Sequence, residues 1–130
     1  MKFLLDTHIW LWLNLNPEKL TKGVRRQMEN PANELYLSSV SIWEASRLAR
    51  DGRLKLESPF DKWLRRMLET APVKEAPFSF AIAAEAAGIR LPQNDFGDVV
   101  LAATASVLDL TLVTSDEQLI ACTWLKTLAN

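Results

Sequence analysis

Short segments of strand character, each separated from the next by helical patterns, constrain this chain more than any other feature. Lys2–Leu5, Glu34–Leu37, Val73–Ala76 and Thr111–Thr114 are four residues each, too short for stable isolated hairpins. The stretches between them carry apolar residues three and four apart. His8–Leu15 stops before Asn16-Pro17, and Thr21 can cap a helix running to Glu29, with Val24 and Met28 on its inner face. Ser41–Arg50 is followed by Gly52, a helix stop, and Ser58-Pro59 opens a helix with Phe60, Trp63, Leu64 and Met67 at helical spacing. Ser79–Ala87 is a helix of small residues, and Asp98–Ala105 one so apolar that it must be buried on most sides. Ser115–Ile120 is a short helical turn, with a last strand near Cys122–Leu125. Strands that alternate with helices form parallel crossover units, and a parallel sheet needs cover on both faces. The expected fold is therefore α/β: a three-layer sandwich with a short central parallel sheet and helices on both faces.

At 130 residues and 48 % apolar composition, the chain has enough core for one folded domain spanning 1–130, and a disordered chain is excluded. Its apolar N-terminus is broken by Asp6 and His8, so neither a membrane span nor a cleavable leader is expected. The single Cys122 cannot form an intramolecular disulfide; it reads as a core residue, and a reducing cytoplasm is the expected location. The net charge of −1 hides an uneven distribution. Residues 19–66 carry eleven Lys/Arg against six acids, and the remainder four against ten. That separation suits a polyanion on one side and gathered carboxylates on another, although solvated helix faces give a similar pattern.

The carboxylates lie where ligands of parallel sheets bind. Asp6, Glu44 and Asp116 each lie just past a strand on the way into a helix, and Asp98 opens the buried helix. Each has a local alternative. Asp6 can cap its helix, Ser41 and Glu44 fit a capping box, and Asp95, Asp98 and Asp116 sit where a helix dipole favours negative charge. Capping does not require them to be close to one another. A parallel topology does, because it collects strand ends at one sheet edge. Two carboxylates about 4 Å apart repel by roughly 4 kcal/mol at an effective dielectric near 20. A group of four needs a cation, or some must be protonated. Hard oxygen donors without paired His or Cys favour Mg²⁺ or Mn²⁺ over zinc. Thr114 is placed to orient a neighbouring carboxylate, and the lone His8 can approach the site or simply pack. Trp10, Trp43 and Trp63 read as core residues, with Trp12 the exception.

Four segments together resemble the PIN-domain nucleases, and within them the VapC toxins of type II toxin–antitoxin pairs. They are Leu4-Leu5-Asp6-Thr7-His8-Ile9-Trp10-Leu11-Trp12, Ser39-Val40-Ser41-Ile42-Trp43-Glu44-Ala45, Asp95-Phe96-Gly97-Asp98 with Leu101–Ala105, and Leu112-Val113-Thr114-Ser115-Asp116. They occur in the family's order, and Gly52-Arg53-Leu54 also matches. The resemblance implies a metal-dependent endoribonuclease with Asp6, Glu44, Asp98 and Asp116 as its catalytic and metal-binding acids, Asp95 and Thr114 in support, and Mg²⁺ or Mn²⁺ as cofactor. Arg47, Arg50 and Arg53 would contact the RNA backbone. The resemblance further implies a homodimer and a cognate VapB-like antitoxin. The sequence departs from the family where Phe96 replaces a usual Pro and Val99 a usual Arg. That departure keeps open a non-catalytic PIN-like module that acts through partners. A strand ending in Asp also begins aspartyl-nucleophile phosphatase sites, but those want a second Asp two residues on, where this chain has His8.

Overall fold

Phe3, Leu4 and Leu5 are almost wholly buried, which an extended segment achieves only with cover above and below it. The computed structural model, which describes residues 1–130, supplies that cover. Its elements run β1 (Lys2–Leu5), α1 (Thr7–Leu15), a 3₁₀ turn (Pro17–Lys19), α2 (Lys22–Glu29), β2 (Glu34–Ser38), α3 (Ser39–Arg50), α4 (Phe60–Thr70) and β3 (Lys74–Ala76). They continue as α5 (Phe80–Ala87), α6 (Phe96–Leu108), β4 (Thr111–Thr114), α7 (Glu117–Ile120) and β5 (Thr127–Ala129). The five strands form one sheet of order β3-β2-β1-β4-β5, parallel throughout. Leu5 is in register with Leu37 on one side and Val113 on the other.

Alternation along the strands divides the core in two. Leu4 and Leu112 face α5, α6 and α7 through Ile82, Leu101, Ala102, Ala105 and Leu119. Phe3, Leu5, Leu37 and Val113 face the other helices through Ile9, Trp10, Val24, Met28, Ala45 and Trp63. Every residue from Val99 to Ala105 is buried, and the alanines of this stretch let α6 lie close to both α5 and the sheet. This is the expected three-layer sandwich. No helix is long and apolar enough to cross a membrane.

Four expectations are corrected. The last strand is Thr127–Ala129, whereas Cys122–Leu125 forms a turn held by Leu125 N–H donating to Cys122 O at 3.1 Å. A parallel crossover must return to the start of the neighbouring strand, and the four residues of α7 rise only about 6 Å; the turn completes the return. Helix α3 begins at Ser39 because the Ser38 hydroxyl accepts from Val40 N–H at 3.1 Å. Helix α6 begins at Phe96 rather than Asp98, which puts Asp95 in the cap position and Asp98 in the first turn that their spacing allowed. Trp43 is 55 % exposed, because α3 turns Ser41 and Ala45 inward instead. Trp10 and Trp63 do pack in the core, with ring centroids 5.5 Å apart and edge-on.

Candidate active site

From β1 the chain moves outward through β2 to β3, then crosses back to β4 and β5 on β1's other side. The direction reverses between β1 and β4, and ligands of open parallel sheets bind at such a point, beyond the strands' carboxyl ends. A cleft of about 590 Å³ lies there, lined by Asp6, Glu44, Asp95, Asp98 and Asp116. The fold thus brings all five acids singled out in the sequence into one cleft, from four different junctions. In this conformation they do not close into a preformed ligand cage.

Hydrogen bonding separates the acids that cap helices from those that do not. Asp95 Oδ1 accepts from Asp98 N–H at 3.1 Å, and Asp116 Oδ1 accepts from Gln118 and Leu119 N–H at 2.8 and 3.3 Å. Both are ordinary caps. Asp6 occupies a cap position without a capping bond. Its Oδ2 accepts instead from the buried Thr114 hydroxyl at 2.7 Å, and Thr114 Oγ1 in turn accepts from Asp116 N–H at 3.0 Å. That hydroxyl has one proton, so accepting from Asp116 directs it at Asp6. The capping box proposed for Ser41 and Glu44 does not form, because Ser38 already caps α3. Glu44 Oε1 lies 2.8 Å from Thr7 Oγ1, which is also 2.8 Å from Ser41 Oγ. A carboxylate only accepts, so Thr7 donates to Glu44 and the Ser41 hydroxyl completes the chain.

The sequence motifs did not single out Thr7, Ser41 or Gly97 for such positioning. A β-carbon built on Gly97 would lie 2.9 Å from Glu44 Cδ and nearer still to Oε2. Glycine at this position is what lets Glu44 rest against the first turn of α6. The available signal was a glycine, poor in helices, directly before Asp98 at the start of an apolar helix.

No Lys or Arg forms an ion pair with any of the five acids; the ion pairs join Glu34 to Lys2 and Lys74, Arg25 to Glu29, and Lys126 to Asp109. Burial therefore acts with little compensation. It pushes Asp6 up, against the lowering bond from Thr114, and it pushes Glu44 up, against the bond from Thr7. Asp98, desolvated and facing Asp116, Asp95, Asp6 and Glu44, is pushed up to about 7. An all-oxygen donor set with uncompensated negative charge fits a hard divalent cation. Of the acids lining the cleft, Asp6, Glu44, Asp98 and Asp116 could supply such oxygen donors.

Arg47 and Arg53 line the same cleft, on the α3 side. Arg50 lies apart from them, in a neighbouring groove with Lys55 and Phe60. Val99 faces the apolar core beneath α6, so the departure from the family's Arg leaves no polar group there.

Residues 3–124 match the PIN domain family. The chain is 31 % identical over 119 residues to Ribonuclease VapC22 of Mycobacterium tuberculosis, covering 89 % of this chain and 88 % of that protein. Its fold is similar to VapBC2 from Rickettsia felis bound to a promoter DNA fragment, with TM-score 0.72 and 18 % identity, covering 100 % of this chain and 99 % of the other. VapBC-1 from nontypeable Haemophilus influenzae aligns at TM-score 0.68 and 20 % identity over 99 % and 98 % of the two chains. FitAcB from Neisseria gonorrhoeae aligns at 0.66 and 22 % over 98 % and 96 %. With the family match spanning nearly its whole length, the chain belongs to the PIN-domain family.

Proposed function

We propose that this chain is a metal-dependent endoribonuclease, one domain over residues 1–130, acting as the toxin of a VapBC-type toxin–antitoxin pair. The observation that carries the reading is the single cleft at the sheet's switch point, where acids from four junctions meet without a basic partner. The ribonuclease relative and the toxin–antitoxin structural neighbours support the same assignment.

Asp6, Glu44, Asp98 and Asp116 hold Mg²⁺ or Mn²⁺ in this reading, with Asp95 and Thr114 in support. When bound, such an ion lowers the pKa of water and offsets charge on phosphoryl oxygens. The remaining work belongs to the chain's own side chains. Thr114 and Thr7 fix one oxygen each of Asp6 and Glu44, so both carboxylates are oriented before substrate arrives. Arg47 and Arg53 receive phosphates at the cleft, and Arg50 extends the basic track beyond it. Water attacks phosphorus in line with the departing ribose oxygen, which leaves with a proton as the P–O bond breaks. The aspartyl-phosphatase alternative wants a second Asp two residues after Asp6, and His8 stands there and lines the cleft. The partners in this reading are RNA, a VapB-like antitoxin and a second copy of the chain, in the cytoplasm.

The test is cleavage of single-stranded RNA by the antitoxin-free protein with Mg²⁺, Mn²⁺ or chelator, comparing wild type with Asp6→Asn and Asp98→Asn. Metal-dependent cleavage lost in both variants is expected. A wild type that binds neither ion and cleaves no RNA pool would establish the non-catalytic module instead.

A further inference from the structure

The walls of the acid cleft are polar except at Trp12 and Leu48. Trp12 belongs to α1, and its body packs against the core while part of the indole borders the cleft. His8, one helical turn earlier on the same wall, has its ring centroid 5.9 Å away at an interplanar angle of 53°. The exposed Lys19 ammonium stands 5.7 Å over the indole. An indole face beside a group of carboxylates does nothing for metal binding and is poorly hydrated. With an exposed cation over it, and with Arg47 and Arg53 on the α3 side of the same cleft, it matches one ligand chemistry. A nucleotide offers an apolar π-face and an anionic phosphate within one residue.

We propose that Trp12 is the stacking platform for the base of a nucleotide flanking the scissile phosphate, and that Lys19 passes from the indole to that nucleotide's phosphate as the base arrives. The proposal rests on the ribonuclease reading and deepens it by assigning the position at which a base of the substrate is held. Bases within a duplex already stack on one another and present no free face. Stacking on an aromatic side chain tolerates any base, so Trp12 contributes affinity and register without choosing a sequence. Phosphates on the far side of the cleavage point would meet Arg47 and Arg53, and the strand would cross the acidic floor between two cationic walls.

The experiment pairs protein variants with a modified substrate. The probe is a short single-stranded oligoribonucleotide that wild type cleaves at one position, together with versions abasic at each nucleotide around that position. For Trp12→Ala, KM is expected to rise about 10-fold, with kcat changed less than about 2-fold, and Trp12→Phe should recover most of the loss. At one flanking position, removal of the base should weaken wild type by a similar factor yet leave Trp12→Ala unaffected, the coupling expected of groups in contact. This coupling separates stacking from a packing defect in the alanine variant, because only the substrate changes. Abasic and Trp12→Ala effects that multiply independently at every position would overturn the proposal while leaving the nuclease reading intact. An unchanged KM for Trp12→Ala would do the same and leave the indole to a peptide partner. Failure of wild type to cleave any RNA would overturn both readings.

Discussion

The carboxylate cleft should cost the folded protein stability, and Asp98→Asn measures how much. The Asp98 side chain makes no hydrogen bond of its own, so the substitution removes charge and little else. Asp98 is pushed up from 3.8 to about 7 by burial and by four neighbouring acids. In the unfolded chain it ionises near pH 4, so between about pH 4 and 7 the folded state retains a proton that the unfolded state has released. Stability therefore falls as pH rises through this window, and the full penalty is present above pH 7. Taken at face value the rise corresponds to about 4 kcal/mol. The cleft is open to water, and screening leaves about 1–2 kcal/mol. For a domain of this size that is roughly 3–8 °C in Tm. Thermal melts in chelator should show Asp98→Asn melting above wild type by this margin at pH 8, with the gap closing toward pH 4. A variant that melts at or below wild type at pH 8, or a gap independent of pH, would refute the electrostatic account of the site.

The positioning residues give three further expectations. Gly97→Ala should displace Glu44 from the turn of α6, lowering cleavage about 10- to 100-fold with a smaller loss of Tm; activity equal to wild type would show that Glu44 works from another rotamer. Thr7→Val should leave the fully buried Ser41 hydroxyl without its partner, at about 1–3 kcal/mol by urea denaturation, whereas Thr7→Ser should cost less than half of that. Thr114→Val removes the bond that lowers Asp6, so the acid limb of the pH–rate profile should move to higher pH; a profile that stays in place would show that Thr114 does not act through Asp6.

The pattern of short strands and intervening helices pointed to the parallel sandwich, because segments such as Lys2–Leu5 need cover on both faces and each intervening helix can supply a crossover. Helix ends were legible where a side chain acts on its own backbone, as at Thr21 with Val24 N–H and Ser79 with Ile82 N–H. They were misread where two candidates compete: Ser38, not Ser41, caps α3, and only the path of the chain out of β2 decides between them. The five acids could be named from their junctions, but each had a capping role available to it. Asp95 and Asp116 do cap, while Asp6 and Glu44 turn to hydroxyls 108 and 37 residues away. That choice depends on contacts distant in sequence, which local spacing does not contain. The same holds for Gly97, whose missing β-carbon matters only because Glu44 of another helix occupies the space. Sequence by itself determined which chemistry was available. The strand order β3-β2-β1-β4-β5 decided that these carboxylates would face one another, since it puts the ends of β1 and β4 side by side.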